Sequence, residues 1–440
     1  MVILSCLLFG AVEPWSGAVV SIFTAFAFLL FAFTAEKEDF SFAGSRPVVV
    51  SMALLLLYPL FQLLPLPVPV LAAAQERFRE IVTLSRDSTP VFHSASVYPF
   101  ATELAFGRLL LCGMVFSAAA FGMRDRQSAA RLIRTLAVFG FALALFGIIQ
   151  HAAWNGRIYW FRELSQGGSP FGPFVNRNHF AGFVGMIIPL SLGIALRSRR
   201  AENRLMFGFF SVVMAIGLFF SLSRGGIISF LAGLLVFTFV SLTRGMSRKK
   251  LIPVFLFVLV LAVYLLSLGI SPVIERFIST DVSKEQRLAA WQGTLSAFRD
   301  FPLFGSGWGT FQYIFKVYQP EGLTLYWDHA HNDYLELLLE TGLAGAIITV
   351  AFFFFLFRVI MKAQWRGRDL YLGAGFAASI TTMALHSLVD FNLHILSNAL
   401  LFSLIMGLAV AMSRQATSVQ RKGLVAGTET SNKLARKASE

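Results

Sequence analysis

Apolar runs near twenty residues recur along this chain, and they constrain its fold before any motif is read. A helix needs about 20 apolar residues to cross the hydrocarbon core of a bilayer, where its backbone must satisfy its own hydrogen bonds. Such runs lie near 17–35, 47–66, 101–122, 133–152, 178–196, 205–222, 225–242, 251–270, 332–357, 370–389 and 395–412, with a shorter one over 1–12. The expectation is an all-α polytopic membrane protein of about twelve transmembrane helices. With 56% of 440 residues hydrophobic, 14% charged and 47 of them Phe, the chain is no soluble globule. The 1–12 run is short for a span, so either the first helix is short or the start lies upstream. No basic segment precedes it as a cleavable signal requires. Cys6 and Cys112 both fall in apolar runs and read as small buried residues, not as a disulfide framework.

The formal net charge of +13 is unevenly spread. The connections 36–46, 123–132, 197–204, 243–250 and 358–369, with the tail from Ser413, carry most of the 37 Lys and Arg residues. The positive-inside rule makes that side cytoplasmic, with both termini inside. The basic excess is therefore a topology signal, and nucleic acid is not an expected partner. Three longer segments, 67–100, 153–177 and 271–330, face the other side. The first follows the helix stop Leu64-Pro65-Leu66-Pro67-Val68-Pro69 and contains a basic-acidic stretch, 75–86, of interfacial composition. The third is expected to be a partly helical loop of roughly sixty residues. Residues 1–412 form the transmembrane domain. Residues 413–440, rich in Thr, Ser, Lys and Glu without apolar period, read as a disordered cytoplasmic tail.

Polar clusters sit at the outer ends of the runs. Asp328-His329-Ala330-His331-Asn332-Asp333-Tyr334-Leu335 lies where the 271–330 segment meets a span. Asn332 or Asp333 is placed to cap the helix start, whose dipole favours anions. On a continuous helix His331, Leu335, Leu338, Gly342 and Gly345 share one face, and Asp333, Glu336 and Glu340 another. Glu340 then lies about 12 Å below His331, at a depth where an ionisable residue is either functional or a partnered strut.

Arg177-Asn178-His179 follow the Gly172-Pro173 turn at the mouth of another run. Ser221-Leu222-Ser223-Arg224-Gly225-Gly226 is too short for a soluble loop, so it holds Arg224 at the membrane surface. Its glycines permit tight backbone with free N–H groups, which suits a phosphate-like anion; the plainer reading is snorkelling to lipid headgroups. Arg287 and Trp291 are one helical turn apart and project together. Pro302, Gly305 and Gly307 mark a turn. In His386-Ser-Leu-Val-Asp390-Phe-Asn392-Leu-His394, His386 and Asp390 stand four apart, within pairing reach on a helix, and the rest reads as a polar turn.

Taken in order, Asn176-Arg177-Asn178-His179, Ser223-Arg224-Gly225, Arg287-x3-Trp291 with Pro302…Gly305-x-Gly307, and His331-Asn-Asp-x-Leu335…Glu340-x-Gly342-x-x-Gly345 resemble the O-antigen ligase/polymerase superfamily of bacterial inner-membrane glycan transferases. The resemblance covers about 170–350, and the His386–Asn392 segment looks like a subgroup feature. It implies a multi-pass inner-membrane enzyme with a periplasmic active site. Such an enzyme takes a glycan from undecaprenyl diphosphate and transfers it, with inversion, to a sugar hydroxyl of lipid A-core or of a growing polysaccharide. It implies no cofactor, no nucleotide sugar and no metal, with membrane lipids as surroundings. The family's important arginines fall on Arg224 and Arg287 and its essential histidine on His331. Arg177, Asn178, His179, Trp291, Asn332, Asp333 and Glu340 are the candidate substrate-binding residues. The chemistry is consistent: two guanidiniums can hold a diphosphate leaving group, and a histidine near its ordinary pKa can accept or orient a hydroxyl proton. Two other classes compete, a multi-span transporter of a small anion such as bicarbonate, and a non-catalytic partner in polysaccharide export. A transporter would place its polar groups near the midplane rather than at one face.

Overall fold

The structure, a computed structural model, describes residues 1–36, 45–75, 77, 80, 91–164, 168–244, 282–323, 326–363, 365 and 367–437. Fourteen α-helices run through them. The first five are α1 (Val2–Leu7), α2 (Pro14–Thr34), α3 (Arg46–Leu63), α4 (Val68–Ala74) and α5 (Pro99–Gly122). Next come α6 (Arg126–Ala152), α7 (Arg177–Arg197), α8 (Ala201–Phe220) and α9 (Arg224–Thr243). The last five are α10 (Val282–Asp300), α11 (Phe311–Tyr318), α12 (Asp333–Lys362), α13 (Leu370–His386) and α14 (Leu396–Lys437). Strands β1 (Pro65–Pro67) and β2 (Phe92–Ser94) pair antiparallel, Leu66 opposite His93. Proline near the first position opens α2, α3 and α5, where its missing N–H costs nothing. Side chains of Asp125, Asn176, Ser223 and Asn332 cap α6, α7, α9 and α12.

Among the described residues nine helices are long and apolar enough to span a membrane: α2, α3, α5 to α9, α12 and the Leu396–Ala416 part of α14. An all-α, multi-pass membrane protein is thus what the chain forms. α13 has 17 residues, and the expected span at 251–270 lies outside the described residues, as do most of 75–86 and residues 271–281.

The run at 1–12 does not make a span. α1 has six residues, and Phe9, Gly10 and Ala11 all take positive φ, which ends the helix. Six residues rise only about 9 Å. The Leu7 carbonyl accepts a hydrogen bond from Tyr159, and Gly10 lies against Phe174 and Ile395, so α1 sits at the same end as the 153–177 segment. At the other terminus α14 continues past Ser413 to Lys437, through the stretch read as a tail. A nucleated helix propagates at little cost, and Ala, Arg, Gln and Lys in that stretch are good formers.

α7 and the membrane part of α14 are almost wholly enclosed, 94% buried in each, whereas α2 is 11% buried. The bundle is therefore built around α7 and α14, with α2 at its rim. Small residues set the close crossings: a Cβ on Gly233 would come within 2.0 Å of Thr382 Oγ1, so only glycine lets α9 and α13 meet there. The described part of 271–330 is partly helical, as expected. α10 and α11 form a second, small core together with Leu71, Ala95 and Leu339, with Phe301, Phe311, Ile314 and Phe315 fully buried and Phe311 stacked on Phe315 at 4.9 Å.

Candidate active site

The turn between α13 and α14 gathers the polar clusters that the sequence scatters. Asp390 in that turn is fully buried, and its Oδ1 accepts the Phe391 N–H at 2.9 Å. His331 Nδ1 stands 3.4 Å from the same oxygen and His179 Nε2 at 4.0 Å. The Phe391 ring packs against three imidazoles, edge-on to His179 at 4.8 Å and His331 at 4.7 Å, and stacked on His329 at 4.3 Å. Burial disfavours the Asp390 carboxylate, but His331, His179 and His386 around it win, and its pKa falls well below the usual carboxylate range. Asp390 is an anion with histidines about it.

His331 precedes the cap Asn332 and takes φ 49°, a left-handed conformation that a non-glycine residue rarely holds. It is therefore placed by the loop and not by the face of a helix. The expected continuous face breaks again at Gly342, whose φ of 61° and ψ of −169° interrupt α12. The Pro302–Gly309 turn docks on that break. Leu343 and Ala344 donate to the Pro302 and Leu303 carbonyls at 2.8 and 3.1 Å, and a Cβ on Gly342 would lie 2.4 Å from the Leu303 oxygen. Glu340 belongs to this joint. Its Oε1 accepts the Phe311 N–H at 2.9 Å, and its carbonyl accepts from Gln62 and from the Gly307 N–H.

A second charged layer backs the first. His394 Nδ1 lies 2.9 Å from Asp333 Oδ1, and its Nε2 lies 3.1 Å from Glu336 Oε1. The same Glu336 oxygen lies 2.7 Å from His329 Nδ1, while its other oxygen accepts the Ala330 N–H at 2.8 Å. Burial disfavours charge on His394, but Glu336 and Asp333 outweigh it and push its pKa up to about 10. His394 is thus an imidazolium at neutral pH, a cation between two carboxylates and no base. The donor atoms of His329, Glu336 and His394 lie within 4.8 Å of one another, a donor set of the type that binds divalent metals. As they stand, Glu336 is already shared between the two imidazoles.

Arg287 reaches the Asp390 turn, and the helix that Arg224 opens packs against it. Arg287 Nη1 donates to the Val389 carbonyl at 3.3 Å, and Trp291 Nε1, one turn on, donates to the Ala330 carbonyl at 2.9 Å. α10 thereby holds the arm that carries Asp390 and the arm that carries His331. Arg224 opens α9, and its glycines are helical, contrary to the expected free loop. Their role is close approach: a Cβ on Gly225 would come 2.6 Å from Val389 Cγ2 and 3.1 Å from His386 Cδ2. Val389 is therefore the meeting point of the two arginine-bearing helices.

Arg177, Asn178 and His179 form the first turn of α7, capped by Asn176, which accepts from the Asn178 N–H at 2.9 Å. His179 is turned inward, only 4% exposed, and its carbonyl accepts from Asn398. Asn332 accepts the Tyr334 and Leu335 N–H groups as the expected cap, and Asp333 is engaged with His394 and the Leu393 N–H. The His386–Asp390 helical pair does not form, because α13 ends at His386 and the chain turns before Asp390.

Sequence reasoning passed over Asp390, Phe391, His394, Glu336 and His329 as site residues. The signal was present in two histidines, an aspartate and an asparagine within nine residues, but a polar turn explained it equally well.

Residues 209–350 match the O-antigen ligase family. Over that stretch the chain is similar to the O-antigen ligases. No curated protein matches the chain. The ligase match spans about a third of the sequence and takes in Arg224, Arg287, Trp291 and His331; Arg177–His179 and Asp390 flank it on either side. It supports an O-antigen ligase/polymerase-type membrane enzyme, and it lends nothing to a transporter.

Proposed function

We propose that the protein transfers a glycan from an undecaprenyl-diphosphate carrier to a sugar hydroxyl at the periplasmic face of the inner membrane. Inversion at the anomeric carbon follows from direct displacement. The acceptor oxygen forms the new bond as the bond to the diphosphate oxygen breaks, and undecaprenyl diphosphate leaves as an anion. Arg224 and Arg287 hold that diphosphate and neutralise the charge gathering on its bridging oxygen. With its Nδ1 3.4 Å from Asp390, His331 presents Nε2 to the acceptor hydroxyl and takes its proton. Arg177, Asn178 and Trp291 line the approach of the sugars. Lipid A-core and a growing polysaccharide chain are both acceptors of the required chemistry, and neither a nucleotide sugar nor a metal takes part.

The observation behind this reading is the meeting of three elements at one turn: α10 with Arg287, α9 beginning at Arg224, and His331 on the buried Asp390. The test is His331→Ala, purified at normal abundance and assayed with a lipid-diphosphate glycan donor. Transfer should disappear while donor binding stays nearly intact, because the imidazole's proposed partner is the acceptor. Wild-type transfer by this variant would refute the assignment.

A further inference from the structure

At the other end of α7 from the histidines, about 30 Å away by helix rise, a pocket of about 380 Å³ opens between α6, α7, α8 and the turn before α13. Arg134, Arg197, Arg199, Arg200 and Arg368 line it. Such a concentration of like charge is unfavourable unless something negative balances it. Asp369 balances part of it, shared between Arg197 at 2.9 Å and Arg126. Among the described residues no carboxylate pairs with Arg134, Arg199, Arg200 or Arg368. The dipole at the C-terminus of α7 accounts for Arg197 but not for the others.

α8 adds to the same field. It starts at Ala201 directly after Arg200, no side chain caps its first N–H groups, and Asn203 in its first turn lines the pocket. A helix start with free N–H groups beside guanidiniums is a combination suited to phosphate. The remaining wall is different in kind, since Ile194 and the buried Phe207 close the pocket on the side of the bundle. The basic rim lies where the spanning helices α7 and α8 end and begin, at the level of lipid headgroups.

We infer that this pocket binds a phosphate group, and that the phosphate is that of an anionic lipid whose glycerol backbone lies on Ile194 and Phe207. The guanidiniums of Arg134, Arg199, Arg200 and Arg368 and one helix start give the affinity, and the apolar wall distinguishes a lipid from a free ion. The site is independent of the glycan chemistry at the opposite end.

The experiment uses the full chain, purified in neutral detergent, titrated with phosphatidylglycerol, phosphatidylcholine or inorganic phosphate and followed by thermophoresis. Arg199→Gln/Arg200→Gln removes two pocket charges. Arg131→Gln/Arg204→Gln removes two exposed charges that do not line it. Phosphatidylglycerol should bind roughly tenfold tighter than phosphatidylcholine, an advantage lost in the first double variant and kept in the second. Arg134→Gln alone, from a different helix, should weaken phosphatidylglycerol binding in the same direction. An equal loss in both double variants would mean diffuse attraction to a basic face and would overturn the site. Saturable inorganic phosphate binding, lost in the pocket variant and without preference between the two lipids, would overturn the lipid assignment and leave a soluble phosphate as the occupant.

Discussion

His331 Nδ1 and Asp390 Oδ1 stand 3.4 Å apart although the whole of α12 and α13 separates them in the chain. Asp390 is fully buried and ionised, while the His331 side chain keeps 22% of its surface exposed. A buried anion behind a partly open imidazole biases the ring's orientation. Replacing Asp390 by Asn keeps the shape and removes the charge. On the proposed mechanism, kcat should fall on the order of a hundredfold with KM little changed. An unchanged rate in Asp390→Asn would remove the dyad from the mechanism.

Arg224 and Arg287 should not be replaceable by lysine. Lysine keeps the charge but loses the planar fork that engages two phosphate oxygens. Arg287→Lys also loses the guanidinium bond to the Val389 carbonyl. Each change should cost several kcal/mol at the transition state, on the order of a hundredfold or more in transfer rate. Steady-state kinetics on purified variants decide it, and near-normal rates in both lysine variants would leave the diphosphate unassigned.

Transfer should withstand EDTA. The donor set of His329, Glu336 and His394 is the place where a metal would act if one did, yet there Glu336 already bridges the two imidazoles. The assay is glycan transfer after chelation and dialysis. Activity lost on chelation and restored by Mg²⁺ or Mn²⁺ would point to that trio and away from a metal-free reaction.

His394 makes stability depend on alkaline pH. Its pKa is about 10 in the folded protein against an ordinary 6.5, so the fold favours the protonated ring. Its contribution is fully present below about pH 6.5 and is lost as pH rises through about 10. Thermal unfolding in detergent between pH 6 and 11 should show this alkaline decline in the wild type. His394→Gln should be less stable at pH 6 and show a flatter profile up to pH 10. Parallel profiles would show that the imidazolium contributes nothing.

Gly342→Ala should disrupt the joint between the 302–309 turn and α12. A side chain is strained at φ 61° and ψ −169°, and its Cβ would meet the Leu303 oxygen at 2.4 Å. The expected loss is about 2 kcal/mol or more, seen as a lower unfolding temperature and reduced abundance in membranes. An alanine variant as stable as the wild type would mean that α12 can run straight through this position.

The sequence alone settled the membrane class, most of the spans and the residues at their ends. Hydrocarbon thickness and backbone hydrogen bonding leave few alternatives for runs of that length. In it Arg224 and His331 stood out at span boundaries, while Arg287 and Trp291 were singled out by the family resemblance of their spacing. What it could not contain was the partner of each. Asp390 read as half of a helical pair with His386, whereas α13 ends first and the carboxylate turns to His331 and His179. Glu340 read as a neighbour of Asp333 and Glu336 on one face, and that face holds up to the break at Gly342, but its bond to the Phe311 N–H comes from the docked turn. His394 read as a polar turn residue and became a cation only because Asp333 and Glu336 arrive from another helix. Periodicity records the environment a helix must meet, while the charge state and partner of a buried group depend on which distant elements pack against it. Only the tertiary structure decides that.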